Sequence, residues 1–210
     1  MGCRELDMEA YRRKEHFAYF TGMAFPYVGA TVQVDLGDFA GRMRARGYPL
    51  FLSLCYAVSG AANAVPEFRQ RIRDGGIVEY DRCRTSHTVA LEDGTYCYCT
   101  LEDRLPLEEY IPYAEARQEE ARRARSLSDG GDPDELLFLS TLPWLSYTAL
   151  VQPVPVPADS NPRITWGRYF EQGGRTLLPV TVLCHHALVD GVHIARFFRE
   201  LEDRLGSLGR

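Results

Sequence analysis

The chain lacks the sequence features that direct proteins to membranes or out of the cell. No apolar run approaches the roughly 20 residues that a membrane-spanning helix needs. Residues 1–7 are charged and contain no apolar stretch, which argues against a signal peptide. Gly2 is not followed by Ser or Thr at position 6, so no myristoylation is expected. We therefore expect a cytoplasmic protein that does not act on membranes.

Excess positive charge and metal-binding cysteine spacings are also missing. The formal net charge is -5 at pH 7, so the chain has no general attraction for nucleic acid. None of the six cysteines forms a CxxC pair or a zinc-knuckle spacing, and we expect no metal site. The simplest interpretation is free, mostly buried thiols in a reducing compartment. Cys97 and Cys99, two residues apart, would share one face of a strand.

What the sequence does contain is typical of one globular domain. The 210 residues are 45% hydrophobic and 25% charged, which allows a sizeable core and argues against disorder. Turn-forming residues at 126–134 and four prolines at 152–162 predict two loops. Neither resembles a domain linker, because short apolar segments flank both. We expect a single domain over residues 1–210.

Hydrophobic periodicity predicts a mixture of helices and strands. The predicted helices are 8–20, 50–64, 107–125 and 192–205. The predicted strands are 77–80, 85–91, 95–101, 136–142, 147–151, 163–169 and 177–184. Gly206 would end the last helix. Because helices and strands do not alternate strictly, the expected fold class is α+β: a two-layer sandwich with a mixed β-sheet flanked by helices.

The most informative segment lies between the last predicted strand and the last predicted helix. It carries His185 and His186, followed by Asp190 and Gly191. A histidine at the end of a strand can serve as a general base, because its ordinary pKa is about 6.5. Asp190 before a helix is equally typical of an N-cap without catalytic function. The residues alone leave both interpretations open.

A resemblance to a known family favours catalysis. Residues 185–191 resemble the HHxxxDG motif of the chloramphenicol acetyltransferase family (type A). Further matches occur in the family's order and at nearly its spacings, at 13–17, 31–35, 48–49, 65–69, 140–144, 178–179 and 191–197. The resemblance implies a coenzyme A-dependent acyltransferase-like fold with acetyl-CoA as co-substrate, and a role in antibiotic resistance. It also implies a homotrimer with active sites at subunit interfaces.

The resemblance assigns catalytic roles to five residues. His186 would deprotonate the acceptor hydroxyl in a ternary complex, and Ser140 would hydrogen-bond the oxyanion. Asp190 and Arg13 would form a buried ion pair that shapes the catalytic turn. Thr165 would help to order water near the oxyanion.

The resemblance also suggests residues that bind the two substrates. For coenzyme A it implies Arg46, Tyr48, Trp144 and Tyr169. For the acceptor it implies Tyr19, Phe20, Cys97 and Leu127. Cys97 and Leu127 stand where the family has phenylalanine, and the proline-rich run 152–162 replaces a segment rich in asparagine. These departures leave open whether the acceptor is chloramphenicol or a related small hydroxylated molecule.

Two alternatives share the implied scaffold. One is a dihydrolipoamide-type acyltransferase, although no lipoyl-type domain or long Ala-Pro linker precedes the catalytic region. The other is a non-catalytic trimer that binds a small molecule. The joint presence of Arg13, Ser140, His186 and Asp190 favours the acetyltransferase over both.

Overall fold

The structure, a computed structural model, describes residues 2–209. Within that range the helices are α1 Lys14–Thr21, α2 Phe39–Ala45, α3 Leu50–Asn63, α4 Leu107–Ala124 and α5 Gly191–Ser207. The strands are β1 Cys3–Glu5, β2 Tyr27–Asp35, β3 Gln70–Arg73, β4 Gly76–Tyr80, β5 Arg84–Ala90, β6 Tyr96–Leu101, β7 Leu136–Leu142, β8 Arg163–Gly167, β9 Phe170–Gln172 and β10 Arg175–His185. Two short 3-10 helices, Pro66–Arg69 and Pro133–Glu135, complete the set.

A mixed sheet forms one layer of the molecule. Its strand order is β2-β10-β8-β7-β5-β6, and β9 adds to β10. Strand β7 runs parallel to both β5 and β8, while the other pairs in this sheet are antiparallel. A second, three-stranded sheet has the order β1-β4-β3.

Helices cover one face of the mixed sheet. The central helix is α3, whose segment carries no charged residue and is buried along most of its length. It packs against α4, α5 and β5. Helix α5 turns an apolar stripe inward, comprising Ile194, Phe197, Phe198, Leu201 and Leu205. This arrangement confirms the predicted α+β sandwich.

The opposite face of the sheet is covered by an irregular segment, residues 143–162. Side chains alternate between the faces of a strand, so Val180 and Val182 of β10 join the core while Thr181 points to the other side. The Tyr147 hydroxyl donates to the Thr165 carbonyl at 2.8 Å, which fixes the segment against β8. The predicted loop at 152–162 is confirmed, since these residues form neither helix nor strand.

Most predicted elements are present, with three corrections. The two strands predicted at 85–91 and 95–101 form an antiparallel hairpin, in which Ala90 pairs with Tyr96. The first helix begins only at Lys14, after a series of turns, rather than at residue 8. Residues 147–151 do not form a strand, because they belong to the segment that lies over the sheet. Helix α5 continues through Gly206 to Ser207.

The cysteines match expectation. All six are free, and five are buried while Cys3 is exposed. Within residues 2–209, no helix combines the length and apolarity needed to cross a membrane.

Candidate active site

A tight turn links the end of β10 to the start of α5. The amide nitrogens of Leu188 and Val189 both donate to the carbonyl of His185, at 3.1 and 3.0 Å. The amide of His186 donates to the Pro26 carbonyl at 2.7 Å, which ties the turn to the residue before β2. The backbone that carries His186 is therefore fixed on both sides.

The ring of His186 is held in one tautomer. Its Nδ1 lies 2.9 Å from the Val189 carbonyl oxygen. Because a carbonyl can only accept, Nδ1 carries a proton, and in the neutral ring the lone pair is therefore on Nε2. The Phe20 ring stacks on the imidazole with centroids 3.8 Å apart and planes 18° apart. Nε2 is thus the ring nitrogen of His186 that remains available to accept a proton.

Arg13 clamps the same turn from the opposite end of the chain. Its Nη2 donates to the His186 carbonyl and its Nη1 to the Leu188 carbonyl, both at 3.1 Å. Its Nη1 also lies 3.4 Å from Asp190 Oδ2. The expected ion pair is present, but it is only partly buried, with the two side chains 16% and 37% exposed. The main contacts of Arg13 are with the backbone of the turn, which the sequence did not reveal.

Asp190 serves as the N-cap of α5. Its carboxylate accepts from the Val192 amide at 3.0 Å, and its own amide donates to His193 Nδ1 at 3.0 Å. Burial alone would raise the pKa of Asp190, but the bond from Val192 and the charge of Arg13 outweigh it and lower the pKa. The interpretation as an N-cap is therefore confirmed, and the same carboxylate also lies beside Arg13.

His185, the neighbouring histidine, faces a different environment. It is 4% exposed, and burial lowers its pKa to about 4. Its Nδ1 accepts from the Ala187 amide at 3.2 Å. Its ring packs edge-on against Tyr27 at 5.7 Å. His185 is a neutral structural residue near pH 7.

A row of hydroxyl side chains crosses the face of the sheet that the helices leave free. Ser140 of β7 pairs with Thr165 of β8, which pairs with Thr181 of β10, which pairs with Thr31 of β2. The Thr31 and Thr181 hydroxyls are 2.7 Å apart. Thr165 donates to the side-chain oxygen of Gln152 at 2.9 Å. Ser140 and Thr165 are therefore neighbours, as the resemblance implied.

One chain does not bring Ser140 and His186 together. The register places Ser140 level with Thr181, which precedes His186 by five positions on β10. At about 3.3 Å per residue this is roughly 16 Å along the strand, with two strand spacings of about 4.8 Å across. An acetyl group cannot contact both residues of the same chain.

Comparison with known proteins assigns the chain to one family. The profile of the chloramphenicol acetyltransferase family matches residues 1–202. The chain belongs to the chloramphenicol acetyltransferase family. Chloramphenicol acetyltransferase 2 of Escherichia coli is 29% identical over 206 residues, covering 96% of each chain. A chloramphenicol acetyltransferase of a Klebsiella species is 28% identical over 207 residues, covering 96% of this chain and 93% of its own.

Solved structures agree with this assignment. A chloramphenicol acetyltransferase superposes with a TM-score of 0.83 at 28% identity, covering 97% of this chain and all of its own. The dihydrolipoamide acetyltransferase of Azotobacter vinelandii superposes with a TM-score of 0.70 at 18% identity and shows only a shared fold. The protein is an acyltransferase, and the dihydrolipoamide alternative is not favoured.

The residues expected to bind coenzyme A lie at several places on the surface of the chain. Tyr48 lines a cavity of about 300 Å³ together with Arg44. Arg46 is exposed at the end of α2 and is not among the residues that line this cavity. Trp144 and Tyr169 are 73% and 38% exposed. Arg44 lines this cavity but was not among the residues that the resemblance suggested for coenzyme A.

The expected acceptor residues divide into two groups. Tyr19 and Leu127 are 66% and 61% exposed, and Phe20 lies against His186. Cys97 is fully buried in the helix-covered core, where it pairs with Val89, so it does not line the face that carries Ser140. Alternation puts Tyr96, which is 50% exposed, on that face instead.

Proposed function

We propose that this enzyme transfers an acetyl group from acetyl-CoA to a hydroxyl group of chloramphenicol or of a related small molecule. The observation that carries the proposal is the fixed tautomer of His186, whose Nε2 remains a free base on a clamped turn. Relatives named for chloramphenicol acetylation cover almost the whole chain and support the choice of acceptor. We also infer that the reaction takes place in the cytoplasm, where acetyl-CoA is formed.

In the proposed reaction, Nε2 of His186 takes the proton of the acceptor hydroxyl. The acceptor oxygen attacks the thioester carbonyl, and a tetrahedral oxyanion forms. The Ser140 hydroxyl donates to that oxyanion, and Thr165 holds water beside it. The C–S bond then breaks, the acceptor keeps the acetyl group, and coenzyme A leaves as a thiol with the proton from His186. No acyl-enzyme forms, because the base removes the proton directly from the acceptor.

We infer that the working enzyme is a homotrimer in which His186 of one copy faces Ser140 of the next. The separation of these residues within one chain supports this inference, since neither can complete the site alone. Apolar side chains on the same face and its rim are unusually exposed for one chain: Phe25 at 58%, Tyr96 at 50%, Leu145 at 56% and Val151 at 95%. Such surface is typical of an interface between subunits.

We propose that coenzyme A binds near the cavity lined by Arg44 and Tyr48. A guanidinium group suits a phosphate because it can donate two parallel hydrogen bonds. The cavity is too small for all of coenzyme A and would hold only part of it. Trp144 and Tyr169 offer aromatic surface for the remainder once a second copy of the chain covers them.

A thiol-release assay with acetyl-CoA and chloramphenicol tests the proposed function. We expect turnover by the wild-type protein, and a loss of about 10²–10⁴-fold in kcat for His186→Ala, the usual contribution of a general base. Circular dichroism should show that the variant keeps the fold. Absence of turnover with chloramphenicol and a panel of related alcohols, or a wild-type rate in His186→Ala, would refute the proposal.

A further inference from the structure

A second histidine lies behind the catalytic turn, on the first turn of α5. The side chain of His193 is 8% exposed. Its Nδ1 accepts two hydrogen bonds, one from the Asp190 amide at 3.0 Å and one from Nη1 of Arg13 at 3.0 Å. The same Nη1 donates to the Leu188 carbonyl. His193 is therefore in contact with the group that clamps the turn of His186.

These contacts fix the protonation state of His193. Two N–H groups point at Nδ1, so this atom must hold a lone pair and the proton must reside on Nε2. Nε2 lies 3.5 Å from Oε1 of Glu67, in the 3-10 helix that follows α3. Oε2 of Glu67 is buried without a hydrogen-bond partner among residues 2–209. Glu67 is thus placed to favour the tautomer with the proton on Nε2.

The surrounding charges act on His193 in both directions. Burial disfavours the charged form, and Glu67 and Asp190 favour it, while Arg13 and Arg196 oppose it. The outcome is a lowered pKa, so His193 keeps its lone pair at neutral pH. If Nδ1 were protonated, its N–H would face the Asp190 amide and Nη1 of Arg13, which are both donors. Both hydrogen bonds to Nδ1 would then be lost.

We propose that His193 and Glu67 are positioning residues, which hold Arg13 in the orientation that fixes the turn and the ring of His186. The inference rests on the proposed function, in which His186 is the base. Without the Nδ1 acceptor, Nη1 of Arg13 is free to turn toward Asp190, which lies 3.4 Å away, and its bond to the Leu188 carbonyl weakens. The Asp190 carboxylate still accepts from the Val192 amide, whereas the Asp190 amide loses its acceptor, so one half of the helix cap survives.

Two substitutions of His193 separate positioning from simple packing. His193→Asn keeps an acceptor close to the position of Nδ1, whereas His193→Leu removes it. We expect His193→Leu to lower kcat by about 10²-fold, the usual cost of a misplacement of about 1 Å, with KM for acetyl-CoA unchanged. His193→Asn should restore kcat close to the wild-type value. Arg199→Ala, at an exposed position of the same helix, is the matched control and should change neither.

Glu67 is tested through the double variant. If it acts only through His193, then adding Glu67→Leu to His193→Leu should lower kcat no further, whereas Glu67→Leu alone should lower it. A wild-type kcat in His193→Leu would overturn the proposal. So would equal losses in kcat and melting temperature for His193→Leu and His193→Asn, which would indicate packing alone.

A readout without turnover keeps the inference separate from the proposed function. Nitrogen-15 spectra of the imidazoles should show His186 protonated at Nδ1 and His193 protonated at Nε2 in the wild-type protein. In His193→Leu the His186 signal should shift toward a mixture of tautomers, and in His193→Asn it should not. An unchanged His186 signal in His193→Leu would overturn the inference, even if the wild-type protein acetylates no alcohol.

Discussion

At the scale of single residues, two adjacent histidines acquire opposite properties from their surroundings. His185 is enclosed and remains neutral, since burial lowers its pKa to about 4. His186 is half-buried and directs Nε2 away from the hydrogen bond made by Nδ1. A third histidine, His87 in β5, is 1% exposed, and burial lowers its pKa to about 4 as well. The distinction lies in burial and hydrogen bonding, not in residue type.

Because these histidines are buried in their neutral form, we expect the free energy of unfolding to depend on pH. In the unfolded chain their pKa is near 6.5, so the unfolded state binds protons that the folded state excludes until about pH 4. The free energy of unfolding should therefore keep its full value above about pH 6.5 and decrease as the pH drops toward 4. Each histidine should cost about 1–2 kcal/mol at pH 5. Urea unfolding at pH 7 and pH 5, at one protein concentration, measures the difference.

His87→Leu should remove the part of this pH dependence that arises from His87. The substitution keeps an apolar contact with the Phe51 ring, which lies 5.2 Å from the imidazole. It also removes a buried Nδ1 that has no hydrogen-bond partner among the described residues. An equal loss of stability between pH 7 and pH 5 in the variant and the wild-type protein would contradict this assignment.

At the scale of elements, periodicity predicted long segments well and short ones poorly. The apolar stripe of 192–205 recurs at helical spacing and became α5. The seven-residue helix α2 and the three-residue β9 are too short to show a period, and neither was predicted. Residues 147–151 have strand-like composition, but Tyr147 is used to fix a loop over the sheet.

In the candidate site, too, the sequence predicted local features better than contacts between distant segments. The sequence motif was sufficient to predict the turn around His186, because its donors and acceptors are close in sequence. The partners of Arg13 and the separation of Ser140 from His186 depend on strand register, which no local pattern reveals. The face on which Cys97 lies depends on register too, because a shift of one residue exchanges the faces of a strand.

Two glycines that look alike in the sequence should respond oppositely to substitution by alanine. A Cβ on Gly206, within α5, would meet no atom within 4 Å, so Gly206→Ala should stabilise the protein by about 0.5–1 kcal/mol. A Cβ on Gly167 would lie 2.5 Å from the Leu145 carbonyl oxygen and 2.9 Å from Tyr147. Gly167→Ala should cost about 1–3 kcal/mol through overpacking.

Thermal unfolding of the two alanine variants measures both effects. The Gly167 variant should also lose acetylation activity, because Tyr147 contacts Thr165 next to Ser140. The Gly206 variant should keep its activity, since the end of α5 is remote from the turn. If the melting temperature falls in both variants, the expectation for Gly206 is wrong. Such a result would indicate that Gly206 packs against a second copy of the chain.

At the scale of the whole molecule, the proposed site needs two copies of the chain. Each copy would give His186 to one site and Ser140 to another, so the two residues can be inactivated on separate chains. Ser140→Ala alone should lower kcat by about 10²–10³-fold, the usual cost of one oxyanion donor. His186→Ala removes the base. Neither variant should be active by itself.

Mixing the two inactive variants should restore activity. When His186→Ala and Ser140→Ala chains assemble at random in equal amounts, about a quarter of the sites pair an intact His186 with an intact Ser140. Co-expression should therefore give about a quarter of the wild-type kcat per site. Mixing after separate assembly should give less, until the subunits exchange. No recovery on co-expression would mean that the two residues do not share a site between copies.

The clamp on the catalytic turn joins residues that lie 173 to 180 positions apart. During synthesis, Arg13 leaves the ribosome long before His186 exists, and the base cannot be oriented until nearly the whole chain has been made. Contacts of such long range form late and slow the search for the folded state. A chain shortened before His186 would lack both the base and the contacts that orient it. It would therefore be inactive even if it still folded into a compact form.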